Sequence, residues 1–322
     1  MKNYNILFLD KNEINTQHIV NTFNYFPINN FFVIPDFLQK DSSGNYLHSL
    51  ELNKFLDFLK SIKIDFFFTF ISFVNDNYIS FLELLYDYQI PIVIWQLDEP
   101  YMLNSDNFKK NTIKAISLSS LYCINSLEIE NFYIINNIPY LFLPVCGIDY
   151  FYNDFIVEEN FKYDFSFLGS SNNYREEFFK KLQNILGEKY RSRYDISGTI
   201  DYFKKLLTET KINLSIGNAH PSEFHTNWSP TDRLFRAPLA GSFILHDFRK
   251  HILDLFKEGE EVVIYYDFDD CVDKIKYYAE NKEARIKIVK KAREKILKEH
   301  LIRHRFLAIM NKLIELNVIP EL

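Results

Sequence analysis

Glycine is scarce in this chain, eight in 322 residues, and the glycine-dependent signatures are missing with it. There is no G-x-G-x-x-G, no P-loop, no H-E-x-x-H and no G-x-S-x-G. These absences argue against a dinucleotide dehydrogenase, a P-loop ATPase, a zinc protease and an α/β-hydrolase. Cysteine is also rare. Cys123, Cys146 and Cys271 lie far apart, with no paired-ligand spacing, and fit a reducing compartment better than a disulfide framework or a zinc site. Long apolar runs are lacking. The most apolar window, Phe66–Phe73, is far short of the roughly 20 residues that span a bilayer, and the N-terminal run stops at Asp10, too early for a signal-peptide core. The expected location is the cytoplasm. Positive charge is in deficit too: the formal net charge of -6 provides no global basic field to attract nucleic acid.

What is present is ordinary globular composition, 47% hydrophobic and 25% charged, at a length that favours two domains over one. Phenylalanine and tyrosine are abundant, 32 and 21 residues, alongside a surplus of Asn, Ile and Lys. That company points to a coding bias, so the aromatic rings are expected to fill cores rather than to form a carbohydrate-stacking surface.

Short apolar runs alternate with helix-length amphipathic segments. In the first half the runs are Ile6–Leu9, Phe31–Ile34, Asp65–Phe70, Pro91–Trp95, Leu121–Ile124 and Tyr140–Leu143. Runs of strand length that are apolar throughout mark a parallel sheet covered on both faces. The expected class is therefore α/β, a doubly wound Rossmann-like lobe over residues 1–152. The acidic stretch over 153–162 reads as a linker. The pattern then restarts over 163–322, with strands expected at Phe165–Leu168, Asp195–Ser197, Ile212–Ile216, Ser242–Leu245 and Glu261–Tyr265. The amphipathic region Lys282–Leu316 has room for two helices, with a break near His300. Ligands of such sheets sit beyond the carboxyl ends of the strands, so the residues just after each run carry the functional interest.

Several constellations invite a chemical reading. Asp267-Phe268-Asp269 has the D-x-D form of a metal motif, but its place between a strand and a helix favours helix capping, and Asp269 is a possible cap. His300 and His304 are four apart and lack an evident third ligand. His220 and His225 flank Pro221 and are no stronger, so no metal site is assigned. Arg233 and Arg236 are three apart and share a face if helical, followed by Pro238 in the first turns and by the small residues Ala240 and Gly241. Two guanidinium groups so placed suit a diphosphate, which arginine binds in planar, bidentate fashion; the same pattern also describes a solvated helix face.

The order of these elements resembles the C-terminal domain of the GT-B glycosyltransferases, in particular the CgeB-like group of the glycosyl transferases group 1 superfamily. The stretch Arg233–Gly241 resembles that group's R-x-F-E-x-x-A-x-G. Gly259-Glu260-Glu261-Val262 resembles its G-x-E-V, Tyr277-Tyr278 ends the following helix, and His300–Arg305 resembles its H-T-x-x-x-R. Upstream, Phe165–Ser170 with Arg175, Leu143–Asp149 and Trp95–Pro100 look like three further elements of the group. Two positions depart from it: Arg236 stands where the group has Glu, and Leu301 where it has Thr.

The resemblance implies two Rossmann-like lobes with a cleft between them and C-terminal helices. It implies a metal-independent glycosyltransferase with no cofactor, taking a nucleotide-diphosphate sugar on the C-terminal lobe and a glycan, protein or lipid acceptor on the N-terminal lobe. Donor contacts are then expected from the amides of Gly169 and Ser170, from Arg175, Arg233 and Arg236, and from Glu261 to a ribose or sugar hydroxyl. Glu261 reads equally as a surface residue at a strand start. Asp98, just beyond Pro91–Trp95, is the candidate general base, its alternative being a turn-capping Asp before a proline, and Asp10 is a weaker option. Three other readings stay open: a sugar-nucleotide epimerase of the same fold; a non-catalytic nucleotide-sugar-binding subunit, which the charge reversal at Arg236 makes credible; and a sensory or ligand-binding protein of two Rossmann lobes that binds no nucleotide.

Overall fold

The computed structural model describes residues 4–9, 28–33, 38–40, 46–50, 52–71, 76–97, 106–152, 161–170, 172–196, 198–217 and 228–321. The chain divides into two compact units, Met1–Pro144 with Arg303–Leu322, and Val145–Ile302. Relative to the expected lobes, residues 145–152 fall in the second unit and Arg303–Leu322 in the first. The proposed linker lies almost wholly outside the described residues.

In the first unit the strands are β1 (Tyr4–Leu9), β2 (Ile28–Val33), β3 (Leu38–Lys40), β4 (Tyr46–Leu50), β5 (Phe66–Ile71), β6 (Ile92–Gln96), β7 (Leu121–Ile124) and β8 (Tyr140–Phe142). The helices are α1 (Leu52–Ser61), α2 (Asp76–Asp87), α3 (Asp106–Leu118) and α4 (Glu130–Ile135). Six strands form one sheet in the order β2-β1-β5-β6-β7-β8, and every pairing in it is parallel. The strands at its centre are buried on both faces, as their uninterrupted apolar sequences require. One face packs Leu7, Phe67, Ile92 and Ile94 against Phe55, Leu82 and Leu85 of the helices. The other carries Phe66 and Phe68, whose rings lie 6.4 and 6.0 Å from Phe306 in the final helix. Two more contacts tie the C-terminal segment to this unit: Tyr4 donates to the Pro320 carbonyl at 2.7 Å, and Arg305 Nε to that of Pro144 at 2.8 Å. The small antiparallel ladder of β3 with β4 escapes a search for apolar runs, because its strands are short and partly polar.

The second unit contains β9 (Tyr163–Leu168), α5 (Asn173–Leu186), β10 (Ser192–Asp195), α6 (Ile200–Glu209), β11 (Thr210–Ser215), α7 (Arg233–Leu239), β12 (Ile244–Asp247), α8 (Ile252–Leu255), β13 (Val263–Tyr265), α9 (Phe268–Glu280) and α10 (Lys282–Glu299). Its parallel sheet runs β10-β9-β11-β12-β13, an order with its switch point between β9 and β11. The alternation along each strand sorts the side chains into two cores. Phe165, Phe167, Leu214, Leu245 and Val263 face α5 and α9, while Ile244 and Ile264 face α7 with Phe235 and Ile296. Strand β10 begins three residues before the expected Asp195–Ser197. It is an edge strand of mixed polarity, and its apolar signal is weak.

Local chemistry fixes the ends of these elements. Asp267, not Asp269, caps α9, its side chain accepting from the Asp270 amide at 2.8 Å. Pro238 falls in the last turn of α7 rather than the first, and Gly241 follows at φ 80°, a left-handed value suited to glycine. The break expected near His300 separates α10 from α11 (Ile302–Glu315). There Gly147 exchanges backbone hydrogen bonds with His300 and Ile302. A methyl group at Gly147 would meet Leu239 at 2.7 Å and Ile296 at 2.9 Å, so only glycine allows that approach. The His300 ring packs against Phe235 and Phe256. Among the described residues no cluster of three or more His, Cys, Asp or Glu could hold a metal, and no helix is long and apolar enough to cross a membrane. The largest fully buried side chains are all Tyr or Phe, in keeping with core-filling aromatics.

Candidate functional site

The carboxyl end of the second sheet gathers an arginine cluster at its switch point. Strand β9 ends at Leu168, whose carbonyl accepts from Arg233 Nε at 3.0 Å and Nη2 at 2.6 Å. The Arg233 guanidinium lies 5.1 Å from the centre of the Phe167 ring, and that of Arg175 lies 5.4 Å from the same ring. Gly169 follows. A Cβ there would overlap Arg233 Nη2 and stand 2.8 Å from Phe167, so the absence of a side chain is what lets Arg233 reach the strand end.

Arg175 spans the switch point itself. It is buried in the first turn of α5, which Asn172 caps by accepting from the Arg175 amide at 2.8 Å. Its Nε donates to the carbonyls of Ile216 and Gly217 beyond β11, and its Nη1 to the carbonyl and hydroxyl of Ser170 beyond β9. Strand-end carbonyls with no ladder partner need donors, and Arg175 supplies them. Burial pushes its pKa down to about 10, and the nearby charges of Arg233 and Arg249 add to the effect.

Arg249 is the member of the cluster that the sequence reading passed over. It lies two residues beyond β12, where Nε and Nη2 meet Asp247 Oδ2 at 3.1 and 3.0 Å and Nη1 donates to the Ser229 carbonyl at 3.0 Å. Asp247 Oδ1 accepts from Ser215 at 2.9 Å. Burial alone would raise the Asp247 carboxyl, but Arg249, His246 and the Ser215 hydroxyl outweigh it and hold the group well below the usual carboxylate range. Asp247 is thus a fixed negative charge, unsuited to proton transfer near neutral pH. The signal for Arg249 was available: it follows an apolar run, where ligand-binding residues of such sheets stand.

The other expected site residues divide. Arg236 does not join Arg233 against β9. It pairs with Asp232 at 2.9 Å and lies 5.0 Å from the Phe151 ring centre and 5.9 Å from that of Phe203. Burial works against the Asp232 charge, yet Arg236 and Arg233 together lower its pKa. The Gly169 amide is already committed to the Asp195 carbonyl at 3.1 Å, which corrects its expected role as a phosphate donor. Glu261 is a second correction. It precedes β13 at the amino end of the sheet, about 13 Å along the strand direction from the carboxyl end, and its carboxylate accepts from the Lys257 amide at 2.9 Å. It closes a turn. Asp98 and Asp10 lie outside the described residues, as do His220 and His225. At the end of β6, Leu97 donates to the Ile71 carbonyl at 3.0 Å, and Gln96 accepts from Tyr122 at 2.7 Å.

Arg175, Arg233, Arg236 and Arg249 therefore stand against the carboxylates of Asp232 and Asp247, and the cluster keeps two positive charges in excess. Such an arrangement can hold an anion in fixed geometry without a metal.

Comparison with known proteins gives this geometry a context. Residues 155–311 match the family model described as glycosyl transferase-like, a span just short of half the chain. No curated protein sequence matches. Among solved structures, HepE from Anabaena in complex with UDP and glucose is similar at 13% identity and a TM-score of 0.61, over 97% of this chain and 100% of that one. Sucrose-phosphate synthase from Thermosynechococcus elongatus is similar at 8% identity and a TM-score of 0.63, over 98% and 99% of the two chains. An alpha-glucosyltransferase in complex with UDP and a 13-mer DNA is similar at 10% identity and a TM-score of 0.66, over 97% and 99%. The fold of this chain is the GT-B fold of glycosyltransferases, with a Rossmann-like parallel sheet in each unit.

Proposed function

We propose that the chain is a glycosyltransferase that takes a sugar from a uridine-diphosphate sugar and passes it to a glycan, protein or lipid hydroxyl. The observation that carries this reading is the cluster of Arg175, Arg233 and Arg249 at the switch point of the second sheet, with Asp247 as its buried counter-charge. An excess of two positive charges suits a diphosphate diester, which is a dianion. The glycosyl transferase-like match over 155–311 contains all of these residues, and UDP is the nucleotide named for two of the similar structures.

In this reading Arg233 and Arg249 are the binding groups. Negative charge grows on the leaving diphosphate as the glycosidic bond breaks, and guanidinium groups already held by Leu168 and Asp247 meet it without reorganising. Arg175 acts from behind, fixing the two strand ends between which the ligand sits. Asp98 is proposed as the base that takes the acceptor proton. In sequence it comes two residues after the buried strand β6, on the carboxyl side where ligands of such sheets bind.

The test is nucleotide release measured with and without acceptor, using UDP sugars and a panel of glycan, lipid and peptide acceptors. Release only in the presence of an acceptor is the expected result, and Asp98→Asn should abolish it while UDP still binds. Conversion of the donor sugar without acceptor would identify an epimerase instead. Binding of UDP with neither reaction would identify a nucleotide-sugar-binding subunit, in line with the Arg236 pairing.

A further inference from the structure

His246 is fully buried at the carboxyl end of β12, and its two ring nitrogens reach two different parts of the anion site. On one side Nδ1 lies 2.7 Å from the Asp247 carbonyl and 3.1 Å from the Asp247 carboxylate, which in turn holds Arg249. On the other, Nε2 lies 2.8 Å from Thr231 Oγ1 and 3.4 Å from the Thr231 amide. Since that amide can only donate, Nε2 accepts and the ring proton belongs on Nδ1. Thr231 is two residues before Arg233, and its carbonyl accepts from the Leu234 amide at 3.1 Å, so it anchors the turn from which α7 starts. Ser215, at the end of β11, completes the connection. Its hydroxyl donates to Asp247 and lies 3.2 Å from that of Thr231.

Arg233 and Arg249 share no hydrogen-bond acceptor among the described residues. Arg233 is held by Leu168 and Arg249 by Asp247 and Ser229. Two side chains connect Thr231 with Asp247, the Ser215 hydroxyl and the His246 imidazole, and of these only the imidazole also meets the Thr231 amide. A ring with a donor and an acceptor on separate edges does this in one rigid piece. An asparagine or glutamine amide could reproduce one of the two contacts in place, and an aliphatic side chain neither. His246 is fully buried, so a polar partner that loses the ring is costly to leave unsatisfied.

We propose that His246 is the positioning residue of the anion site, setting the spacing of Arg233 and Arg249 through Thr231 and Asp247. The proposal builds on the diphosphate reading of the site, but its first test needs no ligand. Proton exchange at the arginine Nε–H groups is followed by NMR in the unliganded protein. Both groups donate inside the fold, Arg233 to Leu168 and Arg249 to Asp247. Thr231→Val removes only the hydroxyl link and keeps the side-chain shape. His246→Gln keeps an acceptor for Thr231, and His246→Leu removes both contacts.

The expected result is an Arg233 Nε–H that exchanges at least tenfold faster in Thr231→Val and in His246→Leu, with His246→Gln nearer the wild type. The double variant Thr231→Val/His246→Leu should fall short of the sum of the two single effects, exceeding His246→Leu only by the Ser215 contact with Thr231. Unchanged Arg233 exchange in folded Thr231→Val and His246→Leu would overturn the proposal, as would purely additive effects in the double variant. UDP titration of the same proteins is a separate readout, expected to weaken roughly tenfold in His246→Leu. Wild-type protein that binds no nucleoside diphosphate would remove the diphosphate reading, while the exchange data would still decide whether His246 positions the arginines.

Discussion

Gly169 and Arg233 form a pair in which the glycine exists for the arginine. A methyl group at 169 would overlap Arg233 Nη2 and Phe167 Cζ, and both neighbours are held, one by the Leu168 carbonyl and the other in the core. Gly169→Ala should therefore displace the guanidinium, costing about 1–3 kcal/mol of stability through overpacking and about tenfold in UDP affinity. Gly187→Ala is the matched control. Its φ of 63° makes it a strained substitution too, but nothing lies within 4 Å of the new methyl group, so stability should fall with affinity unchanged. Calorimetric titration and denaturant unfolding of the two variants separate the effects. Arg249 belongs to the same scale. The sequence names it as plainly as Arg233, but the pairing with Asp247 that makes it a fixed donor arises only when β12 ends where it does.

At the scale of the element, α9 shows how one motif carries two meanings. Asp267-Phe268-Asp269 has the spacing of a metal site, but the Asp267 side chain accepts from the Asp270 amide as an N-cap. Asp267→Ala should cost about 1 kcal/mol in urea unfolding and leave UDP affinity unchanged. Lost affinity at full stability would instead move Asp267 into the site. Helix and strand placement was legible wherever burial imposed a period, as in the central strands of both sheets and in the division of Lys282–Leu316 at His300. It was illegible for β3 and β4, whose sequences are short and partly polar, and three residues out of place for the edge strand β10. Site residues followed the same rule. Arg233 and Arg175 stand in the first turns of helices, and their guanidinium groups reach back to strand-end carbonyls. Glu261 was assigned from a motif match alone, and topology puts it at the opposite end of its strand. Arg236 shares a helical face with Arg233 in principle, but Asp232, Phe151 and Phe203 claim it.

For the whole molecule, electrostatics sets the pH range of stability. Burial opposes ionisation at Asp164, Asp195, Asp232 and Asp247, yet in each case cationic neighbours and hydrogen bonds prevail and the folded pKa is lowered. A carboxylate with a depressed folded pKa contributes stability that is present above its unfolded value of about 3.9 and is lost as pH falls through the folded value. Stability should thus decline steeply below about pH 4 as these groups take up protons. Asp164 tests this away from the anion site. It lies at the amino end of β9, where Lys211 approaches to 2.6 Å and the Arg191 amide to 2.8 Å. Asp164→Asn should lower stability at neutral pH, flatten its fall in acid and leave UDP affinity intact, as read from urea midpoints across the pH range. The division of the chain is a property of this scale as well. No local pattern in the sequence indicates that α11 returns to the first unit, because the contacts of Phe306, Arg305 and Pro320 join residues far apart in the chain.

The most direct measurement is a calorimetric titration of the wild-type chain and of Arg233→Lys with UDP, each compared with its own unliganded melting temperature. Lysine keeps the charge at 233 but cannot hold the Leu168 carbonyl with one nitrogen while offering another to a phosphate. The expected result is saturable binding by the wild type at submillimolar concentration and binding at least tenfold weaker in the variant. A wild-type chain that binds neither UDP nor any other nucleoside diphosphate at millimolar concentration, or a folded Arg233→Lys that binds UDP as tightly as wild type, would contradict the assignment of the arginine cluster as a diphosphate site.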